Sequence, residues 1–204
     1  MTPAVKICGL MSREDILVVN DVMPEYVGFM FYEKSRRYIT PDTAKEFYEL
    51  LDRQIKAVGV FVDLPVTDVA KIAEAGIIDI VQLHGHESEG YIEELRRLIK
   101  LPVIKAFSVK GEETVEEANR SVADMVLLDS GSGGTGTSFN WDLLSKVNRD
   151  FFLAGGLDPD NAKEASELGA YALDVSSGVE TDGHKDADKI RRFVEEVRGR
   201  RSIT

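Results

Sequence analysis

Cys8 is the only cysteine in the chain, and it ends an apolar run at 5–8 that stops at Gly9. A cysteine at a strand end that opens onto a pocket can act as base or nucleophile through its thiolate. The same placement also suits a thiol packed as a small hydrophobe. Other apolar runs end in groups that could work beside it: His84 closes 78–84, Asp129 closes 125–129, and Arg36-Arg37 follow 26–31. A base and an acid on opposite sides of a pocket suit moving a proton between neighbouring substrate atoms, which pairs Cys8 with Asp129. Asp129 could also cap the loop that follows it, and His84 fits either a proton carrier or a hydrogen-bonded strand-end histidine. Gly155-Gly156 and Ser176-Ser177-Gly178 are small residues whose backbone amides can approach an anion closely, and phosphate is the natural ligand.

Strands must hold these groups. Eight short runs rich in Val, Ile and Phe, at 5–8, 26–31, 57–62, 78–84, 103–107, 125–129, 151–154 and 171–175, alternate with segments of helical periodicity. Eight strand-helix units in a chain of this length predict an α/β fold, a single eight-stranded parallel (β/α)8 barrel of the TIM type occupying 1–204 as one domain. In such a barrel, function gathers where strands end, with phosphate often held by the last two loops. Residues two apart on a strand share a face, so Lys6 lies one layer below Cys8, and Gln82 pairs with His84, Leu127 with Asp129 and Asp174 with Ser176. A buried lysine needs a partner, and Asp174 is a suitable one, either in a structural ion pair or at the site itself.

Helix signals fit the same alternation. Ser12 with Asp15 suits a helix start, Pro41 and Pro65 suit first turns, and Asp158-Pro159 leads into a helix at 161–168 that stops at Gly169. Ser88 caps a helix at 89–99, with Tyr91, Leu95 and Leu98 expected to face inward. Ile190, Phe193, Val194 and Val197 lie at helical spacing in a charged C-terminal run. The glycine- and serine-rich stretch 130–138 follows the sixth strand and is expected to act as a lid.

A net charge of −11 argues against a nucleic-acid surface, since binding phosphate backbones needs clustered cations. One cysteine excludes a disulfide framework, no apolar run reaches the roughly 20 residues of a membrane span, and a cytoplasmic location is expected. No Walker loop, dinucleotide fingerprint or metal-ligand spacing is present, and the small residues at the last two strand ends make a phosphorylated small molecule the expected partner. Monomer and homodimer are both open.

Read together and in order, Lys6-Ile7-Cys8-Gly9, the run from Gly28 to Tyr38 with Arg36-Arg37, Val58-Gly59-Val60-Phe61-Val62, Val81-Gln82-Leu83-His84-Gly85, Leu127-Leu128-Asp129, Phe139-Asn140-Trp141, Gly155-Gly156-Leu157 and Asp174-Val175-Ser176-Ser177-Gly178-Val179-Glu180 resemble the phosphoribosylanthranilate isomerase family along essentially the full chain. The resemblance implies a barrel enzyme of tryptophan biosynthesis. It would convert N-(5-phosphoribosyl)anthranilate to 1-(2-carboxyphenylamino)-1-deoxyribulose 5-phosphate by an Amadori rearrangement, with no cofactor and no metal. By motif, Cys8 matches the general base, Asp129 the general acid and Arg37 the arginine near the anthranilate carboxylate. Gly155, Gly156, Ser176, Ser177 and Gly178 match the phosphate site, and His84 and Asp174 are further candidates for substrate contact. Departures are Glu33 where a proline is common and Ser130 where threonine is frequent. The related Amadori isomerase of histidine biosynthesis uses paired aspartates, which Cys8 argues against, and a non-catalytic phosphate-binding barrel would not need Cys8, Asp129 and Arg37 together. The required thiolate and neutral carboxyl invert the ordinary order of acidity, with Cys near 8.5 and Asp near 3.9. The site must therefore raise one, lower the other or use a minor population: Lys6 and the strand-end environment are suited to favour the thiolate and apolar surroundings the neutral acid. Arg36 is expected to point elsewhere.

Overall fold

The computed structural model describes residues 2–129 and 141–199. Every apolar run forms a strand: β1 Ala4–Cys8, β2 Tyr26–Met30, β3 Lys56–Phe61, β4 Ile80–Leu83, β5 Val103–Ser108, β6 Met125–Asp129, β7 Phe151–Ala154 and β8 Ala172–Val175. The eight strands close in sequence order, each parallel to the next, and β1 completes the ring by pairing with β8. Helices α1 Arg13–Val22, α2 Pro41–Leu50, α3 Val66–Glu74, α4 Glu89–Leu98, α5 Glu112–Arg120, α6 Ala162–Ala165 and α7 Ala187–Arg198 surround it, with a 3₁₀ turn at Trp141–Lys146 between β6 and β7. A two-stranded ribbon, β9 Glu180–Thr181 and β10 His184–Lys185, sits between β8 and α7 and was not anticipated from sequence. The expected lid at 130–138 lies outside the described residues. No described helix is long and apolar enough to cross a membrane.

Strand alternation divides the core into two layers. Val103, Val126, Leu128, Phe151 and Leu153 face outward against helix residues such as Ile92, Leu95 and Phe193. Ile104, Leu127, Phe152 and Ala172 point inward and fill the barrel. Each fully buried side chain of this size contributes about 1.5–3 kcal/mol relative to exposure, which fixes the strand register. The same parity places Lys6, Gln82 and Asp174 on the inner face.

The helices start largely where their caps predict. Ser12 accepts from the Asp15 amide while Asp15 accepts from the Ser12 amide, a complete capping box, and Pro41 opens α2 behind the cap Thr40. Pro65 stands just before α3 rather than within its first turn. Two expectations are corrected. In α4 the buried stripe runs through Ile92 and Leu95 to Ile99, whereas Leu98 is 44% exposed and Tyr91 only half-buried, with its hydroxyl donating to the Leu64 carbonyl. The stripe follows the 3.6-residue turn from Ile92, one position away from the expected face. The predicted helix at 161–168 is regular only over α6, because the Ser166 hydroxyl bonds the Lys163 carbonyl. The chain then tightens into 3₁₀-type bonds from the Glu167 amide to Glu164 and from the Leu168 amide to Ala165.

Candidate active site

A cavity of about 900 Å³ opens at the C-terminal ends of the strands. Cys8 enters it from the inner face of β1. Its register partner on β2 is Gly28, where a Cβ would stand 2.6 Å from the Cys8 sulfur, so that glycine makes the space the thiol occupies. Gly9, with φ +80°, takes the backbone through a left-handed turn where a Cβ would overlap the Arg37 side chain.

Below the thiol, Lys6 is fully buried and its Nζ lies 2.6 Å from Oδ2 of Asp174, its register partner on β8. Burial opposes the lysine's charge, but Asp174 and then Cys8 outweigh it and hold Lys6 above its ordinary value. Burial pushes Asp174 up despite Lys6. The lysine keeps the pair's proton. Burial also raises the Cys8 thiol, with Lys6 and Lys185 offsetting only part of that effect. Lys6 favours the thiolate as expected, but desolvation of the sulfur exceeds the lysine's attraction and leaves the thiol above its ordinary value.

On the facing wall, Asp129 ends β6 and His84 follows β4, both lining the cavity. Oδ2 of Asp129 lies 3.4 Å from Nε2 of His84, too long for a strong hydrogen bond. The Gln82 amide nitrogen is 2.9 Å from His84 Nδ1, which orients the ring with its Nε2 toward Asp129. Two buried acceptors on cavity residues, Oδ1 of Asp174 and Oε1 of Gln82, have no hydrogen-bond partner among the described residues.

Arg37 lines the cavity from the loop after β2. Its Nε and Nη2 lie 2.6 and 3.0 Å from the two carboxylate oxygens of Glu180 on β9. Arg36 does not line the cavity, in keeping with the expectation that it points elsewhere, but its exposed guanidinium also pairs with Glu180. Lys185 on β10 completes the cluster, 2.7 Å from Glu180. Burial resists the Glu180 charge, but Arg37 and Lys185 hold its carboxyl below the ordinary range.

At the last two strand ends, Gly155 and Gly156 take φ values of +88° and +66°, and Ser176 and Ser177 face the same cavity. The Ser176 hydroxyl donates to the Cys8 carbonyl at 3.1 Å, tying this loop to β1. Gly178 does not line the cavity; a Cβ there would overlap the Leu157 carbonyl, so it lets the two loops pack together. The cavity thus gathers Cys8, Arg37, His84, Asp129, Gly155, Gly156, Asp174, Ser176 and Ser177.

Sequence reasoning quoted Glu180 in a motif without giving it a role, and assigned none to Lys185, Lys105 or Glu87. Lys105 is buried against Glu87 at 2.9 Å and donates to the Gly85 carbonyl, while Glu87 accepts from the amides of Asp63 and Gly85. These contacts brace the loops after β3 and β4. The available signals were a lysine inside an apolar strand and the Asp182-Gly183 pair, a short-hairpin signature. Among the described residues, no group of three or more His, Cys, Asp or Glu side chains is arranged to hold a metal ion.

A family model for N-(5'-phosphoribosyl)anthranilate (PRA) isomerase matches residues 5–196. The N-(5'-phosphoribosyl)anthranilate isomerase of Thermoanaerobacter sp. (strain X514) is 43% identical over 202 residues, which cover 96% of this chain and 98% of that one. The solved phosphoribosyl anthranilate isomerase from Thermotoga maritima matches with a TM-score of 0.89 at 35% identity, over 97% of this chain and 99% of that one. A phosphoribosyl anthranilate isomerase solved in complex with reduced 1-(o-carboxyphenylamino)-1-deoxyribulose 5-phosphate matches with a TM-score of 0.86 at 35% identity, over 97% and 99% of the two chains. With the closed barrel and its strand-end cavity, these matches establish that the chain belongs to the N-(5'-phosphoribosyl)anthranilate isomerase family.

Proposed function

We propose that this isomerase converts N-(5-phosphoribosyl)anthranilate to 1-(2-carboxyphenylamino)-1-deoxyribulose 5-phosphate without a cofactor, as a step of tryptophan biosynthesis. The observation that carries the reading is one cavity faced by a thiol, a carboxyl, an arginine and a glycine-rich loop, at Cys8, Asp129, Arg37 and Gly155-Gly156. A relative solved with the reduced product supports the same ligand class. The phosphate is assigned to the loops carrying Gly155, Gly156, Ser176 and Ser177, with Gly178 keeping them close. The ring carboxylate is assigned to Arg37, whose planar fork suits it.

The chemistry then runs in three movements. Protonated Asp129 donates to the furanose ring oxygen as the anthranilate nitrogen pushes the C1–O bond open, giving a Schiff base. Thiolate Cys8 removes the proton from C2, and the electron pair moves to form an enolamine. Tautomerisation gives the ketone. Asp174 and Gln82 lie at the floor of the site, each with a buried acceptor that no described residue satisfies. Because burial raises the thiol, the thiolate that takes the C2 proton is a minority form of Cys8.

The test is loss of phosphoribosylanthranilate fluorescence on mixing with the purified protein. Turnover is expected well above the spontaneous rate, and Cys8→Ala and Asp129→Ala should each lower it by about 10²-fold or more with the fold intact. A wild-type protein that leaves the spontaneous rate unchanged removes the assignment.

A further inference from the structure

Glu180 touches no atom the proposed reaction changes, yet donors of three cationic side chains converge on its carboxylate beside the cavity. Its side chain is 3% exposed and faces three cations, Arg36, Arg37 and Lys185. Resting on the isomerase reading above, we infer that Glu180 is a positioning residue that orients Arg37 to receive the carboxylate of an anionic aryl substrate.

The geometry of the fork makes the argument. Glu180 occupies the side of the Arg37 guanidinium, taking Nε–H and one Nη2–H. An arginine carries five N–H donors in one plane, so both donors on Nη1 and the second on Nη2 are left for a ligand. A carboxylate held side-on thus fixes the plane of the guanidinium while leaving its end free for a second carboxylate. Three cations against one carboxylate leave a positive surplus at this rim, in a chain whose net charge is −11. The rim can therefore hold a further anion.

Glu180 is itself held by backbone structure. It stands opposite Lys185 in the β9–β10 register, across a two-residue turn in which Asp182 and Gly183 have φ of 51° and 84°. Positive φ at both central residues is the turn whose twist matches a tight hairpin. The Lys189 ammonium donates to the Glu180 carbonyl at 2.7 Å, and the Asp186 amide bonds the Val179 carbonyl. Lys185 also donates to the Ser176 carbonyl at 2.9 Å, so the ribbon connects the arginine to the loop assigned to phosphate. A carboxylate on so constrained an element can set the direction of a longer, more flexible side chain.

The test compares two ligands on wild-type protein and on Glu180→Gln, which keeps the shape and removes the charge. One is reduced 1-(o-carboxyphenylamino)-1-deoxyribulose 5-phosphate; the other is the same compound made from aniline, lacking the ring carboxylate. Glu180→Gln should weaken the carboxylate ligand by about ten- to a hundredfold and leave the carboxylate-free ligand unchanged. KM for phosphoribosylanthranilate should rise by a similar factor with kcat less affected. Equal weakening of both ligands, no weakening of either, or tighter binding of the carboxylate ligand overturns the inference. Should Glu180→Gln fail to fold, Glu180→Asp, which keeps the charge but shortens the reach, carries the same comparison with a smaller selective loss. A wild-type protein that binds neither compound overturns the isomerase reading itself and the inference with it.

Discussion

Cys8 shows how a single residue's environment can run against its proposed task. Two buried lysines lie close enough to favour a thiolate, yet desolvation dominates and the thiol sits above its ordinary value. If Cys8 and Asp129 share one proton in the working form, kcat/KM is flat between their two apparent pKa values, since pH then changes neither the total proton count nor its division. It falls on the alkaline side when that proton is stripped from the pair. The raised thiol therefore predicts a plateau across neutral pH whose alkaline fall begins above the ordinary thiol value of about 8.5. Measuring kcat/KM from mildly acidic to strongly alkaline pH checks this, and a fall centred below that value would contradict the assignment of Cys8.

Among the elements, α4 offers the clearest test of how a helix meets the barrel. Its inward stripe is Ile92 and Leu95 with Ile99 at the C-cap, and the leucine that looked equally apolar in sequence, Leu98, is largely in solvent. Ile92→Ala should cost about 2–5 kcal/mol of unfolding free energy, because it leaves a void under a packed face. Leu98→Ala should change stability by about 0.5 kcal/mol or less. Urea denaturation of the two variants separates them; comparable losses would mean that the helix presents a different face. The strands of the ribbon β9–β10 have two residues each, and the ribbon holds Glu180 and Lys185 against the arginines. Its two-residue Asp-Gly turn was readable, but its two-residue strands are too short to show an alternating pattern.

At the scale of the whole molecule, the Lys6–Asp174 pair lies on the seam where β8 meets β1 and the barrel closes. Removing one partner leaves an uncompensated buried charge, so Lys6→Met should destabilise the fold by about 3–5 kcal/mol. Replacing both, in Lys6→Met with Asp174→Leu, should recover most of that loss, because a buried pair exchanged for packed apolar groups is often neutral. Chemical denaturation of the single and double variants measures the difference. A double variant as unstable as the single one would show that the pair holds the seam through more than mutual neutralisation.

Much of this arrangement was already legible along the chain. The eight apolar runs became the eight strands, and the helix start at Ser12 with Asp15, the first-turn Pro41 and the cap at Ser88 formed as read, because these signals act over a few residues. Period-two alternation put Lys6 and Cys8 on one face, and strand ends named Arg37, His84, Asp129 and the last two loops as neighbours before any contact was known. What remained depended on residues far apart in the chain. Lys6 and Asp174 meet across 168 positions, and Arg37 and Glu180 across 143. The resting state of the thiol follows from how deeply the closed barrel buries it. Local propensity extends over a turn or a strand, whereas burial and charge pairing exist only once the ring of strands has closed, and they decided the direction of both arginines and the proton on Cys8.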